Sequence, residues 1–188
     1  MAERTAPALP RVFVASDGRD PVRLIDPRLG VLLRDLDLFA LQAAAESGRR
    51  LLAVDLDSVE GLNADSAAVA FVIRRLGIEF VVTRRPALAS RAVQLGALAL
   101  LHVFAFDSTG LGRSLDAHPR AAGVGTVISP GPALAHISVE LRARIPRPLA
   151  AYGLIGSPER ALTLLRLADA VVVPAEQGAA MAARMPRR

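Results

Sequence analysis

Eight short apolar runs dominate this 188-residue sequence and narrow what it can fold into. They fall at residues 11–17, 30–35, 51–56, 78–83, 97–106, 126–129, 149–152 and 170–173, most of them about 20 to 25 residues apart. Most are too short for a helix and long enough for one buried strand. They are continuous rather than alternating, which is the pattern of strands covered on both faces. Between most of them lies a segment of helical composition, at 38–47, 65–76, 86–95, 111–117, 133–145, 157–167 and 176–184. Strand, turn and helix in regular alternation predict a parallel sheet with helices packed outside it.

Residues 51–65 show the repeating unit most clearly. The run ends in Asp55 and Asp57, a loop follows with Gly61, and Asp65 stands where a carboxylate accepts from the free N–H groups of the next helix. Gly48, Gly77 and Gly96 close the neighbouring helices, and Ser157-Pro158-Glu159 opens another. Eight such units favour an α/β fold, a small TIM-like (β/α)8 barrel, over residues 1–188 as a single domain. The length is below the usual barrel range, so some helices must be shortened, and those after the first and fifth strands are expected to be. Residues 1–10 and 185–188 are expected to fray. The alternative, an open doubly wound sheet, lacks a Gly-x-Gly-x-x-Gly after its first strand.

Composition removes several chemistries. There is no cysteine, so neither disulfides nor a thiol nucleophile exist. Every basic residue is arginine; Schiff-base aldolase chemistry, pyridoxal phosphate attachment and a P-loop lysine are excluded. No apolar stretch reaches the roughly 18 residues of a bilayer span. The first residues hold no apolar signal region, and cytoplasm is the expected compartment. The net charge of +5 permits phosphate or RNA contacts through forked guanidinium groups without demanding them.

In a barrel the functional face is at the carboxyl ends of the strands. Those ends carry Asp17, Asp35, Asp55 with Asp57, Thr83 with Arg84, and Asp107 with Ser108, an acid-rich half ring. The other half bears Pro130-Gly131, Gly153 and Val173-Pro174. Like charges on one rim repel and need a cation, an arginine or ligand hydroxyls between them. His102, His118 and His136 have no metal-ligand spacing, so no metal is expected. His102 lies within the fifth strand, as either a satisfied core histidine or a ligand contact at the barrel mouth. Ser108 and Ser129 belong to no recognisable triad.

The order of these segments resembles the glycerol-3-phosphate-responsive antiterminator family. The resemblance runs from about Val31 to the end, with the first strand also in place. It rests on Val54-Asp-Leu with Gly61-Leu-x-x-Asp65, Thr83-Arg84, Phe104-x-x-Asp107-Ser108, Pro130-Gly131, and Gly153-Leu-Ile with Pro158-Glu159. It implies a bacterial regulator of glycerol metabolism with a TIM-like barrel, which binds sn-glycerol 3-phosphate and then leader mRNA in transcription antitermination. On these motifs the ligand contacts are expected at Asp55, Arg84, His102, Asp107, Ser108, Gly131 and Gly153. Neither catalytic residues nor a cofactor is implied. Where the family tends to have a first glycine, Ser and Thr, this chain has Tyr152 and Pro174-Ala175-Glu176, and His102 replaces a common arginine. Proline removes a backbone donor from the loop where barrels usually cradle phosphate.

RNA contacts are expected from Arg74, Arg75, Arg85 and Arg91, with Arg142, Arg144 and Arg147 as a further basic cluster. The one Tyr and six Phe residues suggest no stacking platform for bases. Homo-oligomerisation is compatible with all of this, and no membrane partner is expected. The alternative functions are a small barrel enzyme acting on a phosphorylated metabolite with Asp and Mg2+, and a barrel that has lost its ligand.

Overall fold

A computed structural model describes residues 8–19, 22–119 and 123–185. The strands are β1 (Val12–Ser16), β2 (Gly30–Leu33), β3 (Leu52–Asp55), β4 (Phe80–Thr83), β5 (Leu98–Phe104), β6 (Val124–Ser129), β7 (Leu149–Tyr152) and β8 (Ala170–Val173). Each pairs in parallel with its neighbour in sequence, and β8 pairs with β1, closing the barrel. Parallel neighbours require crossovers. These are α1 (Leu38–Glu46), α2 (Ser66–Ala70), α3 (Pro86–Gln94), α4 (Ser108–Asp116), α5 (Val139–Ala143) and α6 (Pro158–Leu164), with α7 (Gly178–Arg184) after β8. No helix among the described residues is long and apolar enough to cross a membrane.

Alternate residues of each strand serve two cores. Phe13, Leu32, Ala53, Phe80, Leu100 and Val127 point into the barrel, whereas Val14, Val31, Val54, Val81, Leu101 and Ile128 pack under the helices. With few aromatics available, the interior depends on one pair, Phe13 and Phe80, whose rings meet edge-on at 5.7 Å. Gly30 makes room for that pair, since a Cβ there would lie 2.4 Å from the Phe13 ring.

The helix after β1 is reduced to one 3-10 turn, Val22–Leu24. The helix after β5 is not reduced. It starts at Ser108, three residues before the predicted position, because the Asp107 carboxylate accepts the Gly110 N–H at 2.7 Å. Leu111 and Leu115 then bury enough surface to hold a turn containing Gly110 and Gly112. The shortening falls instead after β6. The helix predicted over 133–145 is a 3-10 turn, Gly131–Ala135, followed by α5, which the Ser138 hydroxyl restarts by accepting the Leu141 N–H at 3.3 Å. Past α2 the helix widens to a π-helix over Phe71–Arg75. Residues 1–7 and 186–188, within the stretches expected to fray, lie outside the described residues.

Asp65 caps α2 by accepting the N–H groups of Ala67 and Ala68, both at 2.8 Å. Asp65→Ala is expected to cost about 1 kcal/mol. Urea denaturation measures it, and an unchanged midpoint would mean solvent satisfies those donors equally well.

Candidate functional site at the barrel mouth

The barrel's own alternation places the site. One step of two residues beyond the interior-facing Leu32, Ala53, Val82, Leu100, Val127 and Ala150 come Arg34, Asp55, Arg84, His102, Ser129 and Tyr152. Side chains of one parity share a face, so these six line the mouth. Two are guanidinium groups, one a carboxylate and three hydrogen-bonding side chains.

Arg34 lies with its guanidinium carbon 5.2 Å from the centre of the Tyr152 ring, in a cation–π contact. One end is held by the adjacent Asp35 at 2.9 Å, while its Nε is buried without a hydrogen-bond partner among the described residues. Asp55 is buried; burial pushes its carboxyl up from the ordinary value, against the pull of Arg34. Its Oδ1 accepts the Asp57 N–H at 3.3 Å.

Asp57 positions the next strand end. Its side chain is 2% exposed, and its Oδ2 accepts from the Thr83 hydroxyl at 2.9 Å and the Arg84 N–H at 2.6 Å. It also pairs with Arg85 at 3.1 Å and with Arg84 at 3.7 Å. Arg84 keeps more than half of its side chain exposed above the mouth, and Arg85 is occupied by this pair and by the Ala64 carbonyl.

His102 sits between Phe104, whose ring centre is 4.6 Å away, and Tyr152, at 5.6 Å. The Ser129 hydroxyl donates to the Tyr152 carbonyl at 3.2 Å, so at 2.8 Å the His102 Nε2 must donate to Ser129. That tautomer leaves Nδ1 as an acceptor. Burial, with Arg34 and Arg84 beside it, drives the imidazole down to about 4. The ring is therefore neutral at pH 7. Between pH 6.5 and about 4 the unfolded chain takes up a proton that the folded barrel refuses. Stability should fall as pH drops through that window, by up to about 3 kcal/mol from this group. Urea midpoints at pH 7 and pH 4.5 test it: His102→Gln should lose less stability on acidification than the native chain, and an equal loss would refute the assignment.

The remaining expected residues occupy the rim. Asp107 and Ser108 are exposed at the start of α4, where the Asp107 carboxylate is engaged as a cap. Gly131 packs beside the Tyr152 N–H, and its own N–H donates to the Gly153 carbonyl at 3.1 Å. Gly153 takes a φ of 77° that favours glycine. The Gln177 amide donates to the Ile155 carbonyl at 2.9 Å, tying the loop after β8 to the loop after β7. The half ring of acids is quenched internally: Asp17 pairs with Arg19, Asp35 with Arg34, and Asp57 with Arg84 and Arg85. No three His, Asp or Glu side chains among the described residues converge to hold a metal ion. His118 is buried against the Gly125 carbonyl and the Thr126 hydroxyl, and His136 is exposed at the end of a 3-10 turn.

Of the arginines expected to meet RNA, Arg74 and Arg75 lie at the opposite end of the barrel from Arg85. Arg91 is in the last turn of α3, bonded to Gln94. Sequence reading passed over Arg34 and met Tyr152 only as a departure from the family's glycine, although counting by two from Leu32 and Ala150 places both at the mouth. It also left Asp57 out of the expected ligand contacts. Phe104 and Phe106, not seen as a stacking pair in sequence, lie parallel within 2° at 5.5 Å on the rim.

Residues 29–177 match the family described as "Glycerol-3-phosphate responsive antiterminator". No curated protein matches the sequence. In structure the chain is similar to a glycerol uptake operon antiterminator-related protein from Thermotoga maritima, with a TM-score of 0.72 and 25% identity over 88% of this chain and 95% of that one. It is also similar to a glycerol uptake operon antiterminator regulatory protein from Listeria monocytogenes, with a TM-score of 0.74 and 19% identity over 86% and 90%. OMP decarboxylase of Leishmania donovani shares the fold at a TM-score of 0.58 and 14% identity, over 94% and 91% of the two chains. The last two likenesses speak for the barrel alone.

Proposed function

Because the chain belongs to the glycerol-3-phosphate responsive antiterminator family, we propose that it binds a small polyol phosphate, sn-glycerol 3-phosphate first among them, and responds by acting on leader mRNA. The observation that carries the ligand half is the meeting of Arg34 and Arg84 over one barrel mouth with Asp55 and neutral His102. Guanidinium forks suit phosphate oxygens, and forked pairing is strongest where water is partly excluded. A carboxylate and an imidazole acceptor suit the hydroxyls of a polyol, which donate to both. Asp107, Ser108, Gly131 and Gly153 form the rim over which such a ligand enters. Pro174 supplies no N–H, so more of the phosphate charge falls to the two arginines than to the loop backbone.

Calorimetry with sn-glycerol 3-phosphate, glycerol and inorganic phosphate tests this. Heat with the first at micromolar to low millimolar concentration, and weaker binding of the other two, is expected. Equal affinity for glycerol and the phosphate ester would remove the role of the arginines. No heat and no thermal shift with any of them would leave a barrel without a ligand.

A further inference from the structure

Charge is distributed along the barrel axis rather than around it. Strands are parallel and helices run back against them, so helix starts gather at the mouth and helix ends at the opposite pole. Asp37, Asp65 and Asp107 cap helices at the mouth, where Asp17, Asp35 and Glu176 are also exposed. Arginines follow the helix ends and precede the strands. At that amino-terminal pole Arg11, Arg50, Arg74, Arg75 and Arg166 are all exposed, and none has an ion pair among the described residues. Most acids there are engaged: Asp26 by Arg28, Asp116 by Arg144, Asp169 by Arg147, and Glu79 by the Leu51 N–H, while Glu46, exposed at the end of α1, accepts only from the Gln42 amide.

Between these arginines opens a cleft of about 930 Å³. Arg11, Arg50 and Arg166 stand in its lining, and Leu162, Leu165 and Met185 give it an apolar floor. Helix-dipole compensation accounts for arginines at helix ends. It does not account for Arg11, which precedes β1, or for an apolar cleft ringed by cations.

We infer that this amino-terminal pole, and not the ligand mouth, is the surface on which RNA docks, with phosphates on the free arginines and an unstacked base against the cleft floor. The inference rests on the reading of the protein as a leader-mRNA regulator and adds which face meets the transcript. A polyanion approaching the mouth meets the exposed carboxylates of Asp17, Asp35, Asp37, Asp65, Asp107 and Glu176, around two arginines that the proposed ligand would occupy and the exposed Arg160; at the other pole the uncommitted guanidinium groups outnumber the uncommitted acids. Phosphate contacts supply the sequence-independent part of affinity, so a generic strand at low salt reports on the face.

The test uses the full chain and a labelled mixed-sequence single-stranded RNA of about 20 nucleotides, titrated at several salt concentrations with and without sn-glycerol 3-phosphate. Arg50→Gln with Arg166→Gln should weaken binding about tenfold and flatten the slope of log affinity against log salt by about 1.4, or about 0.7 per lost contact. Arg74→Gln with Arg75→Gln should act similarly. Both double variants should bind sn-glycerol 3-phosphate in calorimetry as the native chain does. If the native chain binds no RNA in any condition, the leader-mRNA reading fails and the docking face with it. If it binds and these variants bind equally well, while Arg85→Gln loses affinity, the mouth is the docking face and only this inference is overturned. A change in oligomeric state in place of RNA affinity would make the pole an interface between copies, and would equally overturn it.

Discussion

Arg34→Ala should weaken sn-glycerol 3-phosphate binding about 30- to 100-fold, which corresponds to about 2–3 kcal/mol for hydrogen bonds to a charged partner. Three observations make Arg34 the larger contributor of the two mouth arginines. Its guanidinium is held over Tyr152 and its other end by Asp35, so little freedom is lost on binding. About a third of its side chain is exposed, against more than half for Arg84, so its charge is less screened by water. It acts on Asp55 and His102 more strongly than Arg84 does, which sets its charge closer to the polar groups of the mouth. Arg34→Lys should recover only part of the loss, because an ammonium keeps the charge without the fork. Calorimetry on folded variants is the measurement. Native affinity in Arg34→Ala would place the phosphate elsewhere. The histidine provides an independent readout: without Arg34, one cause of the low His102 pKa disappears, and its NMR titration should move upward.

The largest expected loss of stability is at Phe80. It is fully buried in the barrel interior and forms the edge-on contact with Phe13. Phe80→Ala removes the larger part of that layer and is expected to cost about 3–5 kcal/mol. Against a total of about 5–15 kcal/mol, this brings the barrel close to unfolding at moderate temperature. The interior cannot readily collapse into the space, because the strands are tied by main-chain pairing all around the ring. In urea the midpoint should drop sharply with the slope unchanged. Phe106→Ala, at a side chain 81% exposed, should leave the midpoint nearly where it was. Similar small losses for both would mean that the interior repacks around smaller side chains.

The fold was more legible than the site. Continuous apolar runs separated by capped helices specify strands buried on both faces, and β7 and β8 fall on the predicted residues. Helix starts read well where a capping side chain precedes an unambiguous turn, as at Asp65 and Ser157. They read poorly where two starts compete. Asp107 captured Gly110 and moved α4 forward, while Ser138 interrupted the helix expected over 133–145. Local propensity does not rank such competitors; burial of Leu111 and Leu115 does.

At the mouth, chain order singled out Asp55 and Arg84 at strand ends, and the family resemblance added His102 from within the fifth strand. Neither said which neighbours neutralise them. By itself the sequence determined that eight strands alternate with helices, that their carboxyl ends would carry acids and arginines, and that cysteine and lysine chemistry is absent. Those are local properties, written in the composition and spacing of single segments. The tertiary structure decided the partnerships: Asp57 holding the end of β4, Ser129 fixing the tautomer of His102, and Arg34 stacked over Tyr152 from the far side of the ring. Such pairs join strands that are distant in sequence and come within hydrogen-bonding or cation–π distance only once the barrel has closed. Closure also gathered the helix-capping acids at one pole and most of the unpaired arginines at the other, because every parallel strand forces its helix to run back the opposite way.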